Sequence, residues 1–227
     1  MNCLEKITNE YGQKTASRLE QFVKLIEEEN KKINLTSFEG QRLWQEGIYE
    51  SIKCLEPFVK SNDSLLDIGA GVGFPSVPFL IVNPEVKLTI IESNKKRVLF
   101  LEKVKKDLNL SFEIFNGRVE NFNKEIHFDF ITARALAPLN ILMELTINLG
   151  SILPKPTNYI FVKGANYLSE LNEAQNAIKI LKLKVFDLKK IDVFFDKNIF
   201  MIHYIKTANV SKEYPRAWDK IIKKPIR

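Results

Sequence analysis

Histidine and cysteine are both scarce in this chain. His127 and His203 are the only histidines, and Cys3 and Cys54 the only cysteines. There is no CxxC pair and no His cluster, which argues against a disulfide framework and a structural zinc site. Two histidines also leave little material for imidazole acid–base chemistry. Long hydrophobic runs are missing as well. The longest apolar stretch, Phe74 to Val82, carries Pro75 and Pro78 and is far too short to span a bilayer. The N-terminus shows no signal-peptide pattern, so the expectation is a soluble cytoplasmic protein. What is present is a globular composition: 227 residues, 45% hydrophobic and 27% charged. That length suits one sizeable core, or one domain with an added lobe.

Charge is unevenly placed. Lys and Arg outnumber Asp and Glu by 34 to 28, a net +6. The segment from Lys206 to Arg227 holds seven basic and two acidic residues and so carries +5 of that excess. Such a tail is either a solvated terminus or a polyanion contact. Tyr214 and Trp218, set among the cations, favour nucleic acid because aromatic rings stack on bases.

Hydrophobic periodicity predicts an amphipathic helix over Thr15 to Lys32, through Leu19, Phe22, Val23 and Ile26, and a second over about Arg42 to Leu55. Short apolar runs then alternate with helical ones. Strands are expected at Ser64–Ile68, Lys87–Ile91, Ser111–Phe115, Phe128–Thr132 and Asn158–Val162, with helices between. The last two runs, Lys184–Phe186 and Phe200–Ile205, lack an intervening helix and suit a hairpin. The pattern predicts an α/β fold with a mostly parallel central sheet, an antiparallel edge strand and an N-terminal helical extension. One domain is expected: an extension over about 1–57, a core over about 58–206 and a basic tail over about 207–227.

The most informative segment is Asp67-Ile-Gly-Ala-Gly-Val-Gly-Phe-Pro. It follows the first strand and opens a helix, the context in which Gly69, Gly71 and Gly73 permit a sharp turn and a close ligand. Glu92 ends the second strand, 23 residues after Gly69, where a carboxylate can accept from ribose hydroxyls. A dinucleotide fingerprint needs a third glycine where Phe74 stands, and Asp67 would repel a pyrophosphate. A Walker loop is absent. Asp67 and Glu92 suit a cationic adenosine ligand, S-adenosylmethionine. A purely geometric strand–helix turn remains open. Glu120, after the third strand, can accept from an adenine amine or cap a short helix. Arg134 ends the fourth strand and Lys163 the fifth; a strand-end Arg is more often an ion-pair partner than a reacting group.

The fourth strand lacks the Asp/Asn-Pro-Pro-aromatic segment of exocyclic-amine methyltransferases. Both cysteines lie upstream of the sheet, which disfavours carbon-5 pyrimidine methylation. A nucleophile needing little help remains, such as guanine N7, whose lone pair is free and whose attack releases no proton. Alignment and proximity can then serve without a general base. A small-molecule methyltransferase, a noncatalytic RNA-binding module and an NAD enzyme are the alternatives.

The chain also resembles a known family, the RsmG (GidB) methyltransferases of bacterial 16S rRNA. The resemblance is carried by Lys32-Ile-Asn-Leu-Thr-Ser, Tyr49-Glu-Ser-Ile, the glycine segment, Ile91-Glu-Ser-Asn-Lys-Lys-Arg, Arg118-Val-Glu, Thr132-Ala-Arg-Ala, Val162-Lys-Gly, Tyr214-Pro-Arg and Lys223-Lys-Pro-Ile. It implies a Rossmann-like class I fold, S-adenosyl-L-methionine as donor, and N7 methylation of guanine-527 in the decoding-region loop of 16S rRNA. It further implies that Gly69, Phe74, Glu92, Val119, Glu120 and Arg134 lie at the cofactor, with Arg134 positioning rather than reacting. The expected partner is the small ribosomal subunit, met by a monomer with no metal and no membrane. RNA contacts are expected at Lys163, Tyr214, Arg216, Lys223 and Lys224. Two departures stand out: Gly47 occupies a usual His position, and Asp219 and Ile221 replace Gly and Pro in the tail.

Overall fold

The computed structural model describes residues 2–122, 126–191 and 199–227. Helix α1 (Cys3–Asn30) begins twelve residues before the periodicity suggests. Its start is a capping box: Asn2 Oδ1 accepts from Glu5 N at 2.8 Å, and Glu5 Oε2 accepts from Asn2 N at 2.9 Å. Gly12, at φ +82°, kinks the helix and interrupts the apolar stripe. The second predicted helix is three pieces: α2 (Gly40–Arg42), a π-helical turn (Leu43–Tyr49) and α3 (Glu50–Leu55).

The sheet contains β1 (Ser64–Ile68), β2 (Lys87–Glu92), β3 (Phe112–Asn116), β4 (Phe130–Arg134), β5 (Asn158–Lys163), β6 (Leu183–Ile191) and β7 (Ile199–Lys206). Their order is β3-β2-β1-β4-β5-β7-β6. β1 to β5 run parallel; β7 is antiparallel to both β5 and β6. The intervening helices are α4 (Ser76–Val82), α5 (Lys95–Asp107), α6 (Leu139–Thr146), α7 (Tyr167–Glu173) and α8 (Gln175–Ile180). The chain reverses its direction of travel across the sheet between β1 and β4, and the glycine segment leaves β1 there. A doubly wound sheet binds its ligands at this crevice, outside the carboxyl ends of the strands.

β4 lies two residues later than its apolar run suggests, because Leu65 and Leu66 pair with Phe130 and Ile131. Arg134 thereby becomes its last residue. β6 extends well beyond Lys184–Phe186. Its lysines at 184, 189 and 190 weaken the apolar signal, yet charges of this kind protect an edge strand from pairing with other chains.

Alternate strand residues feed two cores. Leu65, Leu88 and Ile90 face one that includes Ile7, Leu19, Phe22 and Ile26 of α1. Leu66, Ile68 and Ile91 face the other, with Leu139, Leu142, Tyr159 and Tyr204. The N-terminal helices are therefore part of one sheet face's core.

The basic tail is docked on the core, contrary to a frayed terminus. Helix α9 (Trp218–Lys223) buries Ile221 completely against the second core. Ile221 thus stands in apolar surroundings at one of the two tail departures. Among the described residues no helix is long and apolar enough to cross a membrane.

Candidate active site

The loop after β1 is built by its glycines. At Gly69 φ is +69°, and a Cβ would lie 2.7 Å from Leu136 Cδ1. At Gly73 φ is +100°, and a Cβ would lie 2.5 Å from Val77 Cγ2. Both positions have a left-handed backbone that favours glycine, and at Gly73 the Val77 side chain also fills the space a Cβ would need. Gly71 donates its N–H to Glu92 Oε2 at 3.0 Å, and Asn94 N–H reaches Glu92 Oε1 at 2.7 Å. Glu92 thus ties β2 to the glycine loop. Each of its oxygens retains a second lone pair for a ribose hydroxyl.

Beside this loop is a cavity of about 240 Å³, walled by Gly69, Ser93, Gly117, Val119, Glu120 and Leu136, with Trp218 at its side. Val119 is buried, and Glu120 is held by Arg118 Nε at 3.2 Å. A larger cavity, about 840 Å³, shares Leu136 and runs past Arg134, Lys163 and Glu170. It lies at the ends of β4 and β5. Ala135, between Arg134 and Leu136, has φ +52°, a costly conformation for a residue with a Cβ.

Other residues singled out by sequence lie elsewhere. Asp67 is fully buried, and its Oδ2 accepts from Ser76 N at 3.3 Å while Oδ1 has no partner. Burial raises its pKa to about 7, hydrogen bonds from Ser76 opposing. The carboxylate thus meets Ser76 beneath the loop, whereas the sequence pattern expects it to face a cationic ligand. The Phe74 ring packs into the N-terminal core, 6.2 Å from both Phe22 and Phe38. Only its backbone belongs to the loop. A Cβ on Gly47 would lie 2.8 Å from Phe74 Cζ, so the ring occupies space that a His at position 47 would need.

Arg134 reaches back to the N-terminal helices. Its Nη1 donates to Glu46 O at 2.9 Å and Ser51 Oγ at 3.1 Å, and Nη2 pairs with the buried Glu50. Glu50 and Ser51 belong to the Tyr49-Glu-Ser-Ile motif, so two separate motifs are one contact. Arg134 also lies in the wall of the larger cavity, so its ion pair accords with a positioning role. Lys163 is 7% exposed, with Nζ bonded to Glu170 Oε2 at 2.7 Å and Ala137 O at 2.8 Å. Arg216 forks onto the buried Glu144, both bonds 2.7 Å. Both cations are thus paired within the protein, whereas the sequence pattern expects them to contact RNA. Tyr214 is half-buried, whereas Lys223 and Lys224 are exposed, together with Lys220.

Both cysteines are buried, and burial pushes each thiol up to about 12. A thiolate nucleophile is therefore disfavoured. His203 binds Asn158 Oδ1 at 2.9 Å on β5 and β7, and neither cavity has a histidine in its wall. Sequence reasoning missed Leu136, which divides the two cavities, and Glu170, which fixes Lys163. Neither carries a local signal.

The sheet order and the glycine crevice define a class I S-adenosylmethionine-dependent methyltransferase. An Aquifex aeolicus SAM-dependent methyltransferase superposes with a TM-score of 0.53 at 16% identity, covering 79% of this chain and 97% of that one. The ribosomal protein L11 methylase of Lactobacillus delbrueckii subsp. bulgaricus gives 0.52 at 15% identity, covering 70% and 77%. Residues 15–198 match the family described as rRNA small subunit methyltransferase G, and the chain belongs to that family. It is 44% identical to the Ribosomal RNA small subunit methyltransferase G of Mycoplasma mobile, covering 88% of this chain and 87% of that protein. The protein of the same name from Lactococcus lactis subsp. cremoris is 34% identical, covering 100% and 98%.

Proposed function

We propose that the protein methylates N7 of guanine-527 in the decoding region of 16S rRNA, in the cytoplasm, with S-adenosylmethionine as donor. The observation that carries this reading is the family match over residues 15–198, which includes the glycine crevice and all of both cavity walls but Trp218 and Ile199. The donor supplies an electrophilic methyl group. Gly69, Gly71 and Gly73 admit it close to the backbone, Glu92 receives its ribose, and Val119 and Glu120 face its adenine. Leu136 lies where this cavity adjoins the larger one, so the donor's methyl end would reach past it to an acceptor base in the larger cavity.

N7 fits a site of this chemistry. Its in-plane lone pair would take the methyl group as the donor's S–CH3 bond breaks, leaving neutral S-adenosylhomocysteine and a cationic N7-methylguanine; no proton is lost, so alignment replaces a general base. N7 is inaccessible in the deep, narrow major groove of A-form RNA, so the guanine must be looped or splayed out. Arg134 positions the loop after β4 through Glu50 and Ser51. Exposed Lys220, Lys223 and Lys224, with Tyr214, are the tail groups suited to RNA; Lys163 and Arg216 shape the protein instead.

The test is transfer from radiolabelled S-adenosylmethionine to small-subunit particles lacking this modification, followed by alkali-induced scission at N7-methylguanine. One labelled guanine in the decoding-region loop is expected. Measurable donor binding without transfer would remove the acceptor assignment.

A further inference from the structure

Trp218 is set apart from the exposed tail lysines by its position at the smaller cavity. We propose that Trp218 forms a wall of the adenine subsite, making the C-terminal segment part of the donor pocket. This rests on the proposed seating of the donor against β1, β2 and β3.

Three observations support it. Trp218 shares the cavity wall with Gly117, Val119 and Glu120, the residues after β3 that face the adenine in that seating. A flat purine between a strand-end loop and an indole gains from stacking, whatever its hydrogen bonds. Next, Arg118 joins the two walls. Its guanidinium lies 4.7 Å from the Trp218 ring centroid, and its Nε donates to Glu120 at 3.2 Å. The indole is thereby coupled to the carboxylate suited to the adenine amine.

The third observation is how firmly the segment is anchored. Ile221, one turn on, is fully buried. Arg216, two residues before, forks onto Glu144, and its Nη2 also donates to Lys224 O at 3.0 Å. Asn140 Nδ2 donates to Ile226 O at 2.9 Å and Asn148 Nδ2 to Tyr214 O at 3.1 Å. A ring in a segment held from both sides, with the Arg118 guanidinium over one face, needs little further ordering on binding.

The chain has two tryptophans, so Trp44→Phe leaves Trp218 as the only indole emitter. The full-length Trp44→Phe protein is titrated with S-adenosylhomocysteine, with affinity measured in parallel by calorimetry. Trp218 emission should change saturably with the calorimetric midpoint. Trp218→Ala should weaken S-adenosylhomocysteine on the order of tenfold, while Trp218→Phe stays within about twofold of wild type. A folded Trp218→Ala protein binding as wild type overturns the proposal. If that variant fails to fold, silent emission during calorimetric binding to Trp44→Phe overturns it instead. Glu92→Gln separates the two readings. If it weakens binding while Trp218 variants do not, only the indole's role falls. If neither affects a ligand that still binds, the seating against β1, β2 and β3 falls as well.

Discussion

Asp67 is a buried carboxyl whose pKa is raised to about 7, chiefly by burial, against an ordinary value near 3.8. Between those values the native state keeps a proton that the unfolded chain has lost. Its contribution to stability is therefore favourable at low pH and declines as pH rises from about 4 to about 7. Asp67→Asn should abolish that decline. The difference in unfolding free energy, variant minus wild type, should become more positive by on the order of a few kcal/mol between pH 4 and pH 8. Urea unfolding at the two pH values measures it; a pH-independent difference would mean that Asp67 titrates normally. Glu92 has other partners: two backbone N–H groups meet its oxygens. Two acids of similar appearance in the sequence thus do different work. One lies sealed beneath the glycine loop, and the other ties that loop to the end of β2.

At the scale of elements, ion pairs join pieces of chain that are far apart in sequence. Arg134 at the end of β4 holds Glu50 of α3, 84 residues away. Arg134→Ala takes the guanidinium from a buried carboxylate and should cost about 3 kcal/mol. Thermal unfolding should show that loss before any donor-binding defect is interpreted, and an unchanged melting temperature would return Arg134 to a purely local role. Arg216→Ala leaves Glu144, 72 residues away and 1% exposed, without its guanidinium. A loss of about 3 kcal/mol is expected there too. Stability like that of wild type would show that the tail is held without this ion pair, by Ile221 and the Asn140 and Asn148 bonds. The π-helical turn and Ala135 are further elements without a sequence signature, since their backbone geometry follows from what packs around them.

On the scale of the whole molecule, +5 of the net +6 is concentrated in a segment docked beside the smaller cavity. Its exposed lysines, rather than its anchored arginine, are the groups available to a polyanion. Substituting Lys220, Lys223 and Lys224 by Gln should leave the fold intact. It should lower the salt slope of RNA binding by about 2 in log–log units, given roughly 0.7 per single-strand phosphate contact. Filter binding across a range of salt concentrations gives that slope, and an unaltered value would place the RNA contacts on another face. Deleting the tail outright would remove Ile221 and Trp218 as well, and would confuse fold, donor and RNA effects.

The alternating pattern and the glycine segment were legible because both are local. Strand periodicity repeats every two residues, and Gly69, Gly71, Gly73 and Glu92 lie close together at the ends of adjacent strands. The α1 start was equally local, written as Asn2 and Glu5, but Gly12 interrupted the stripe that would have revealed it. The roles of Arg134, Lys163, Arg216 and Trp218 depended on partners 84, 7, 72 and 100 residues away. Even the short separation of Lys163 from Glu170 crosses from a strand to a helix. Sequence alone determined the order of elements and the site of the ligand turn, since backbone preference and hydrophobic period act over a few residues. Only tertiary structure decided which cations are exposed and which are spent on carboxylates, because burial and charge pairing depend on neighbours that the chain brings together by folding.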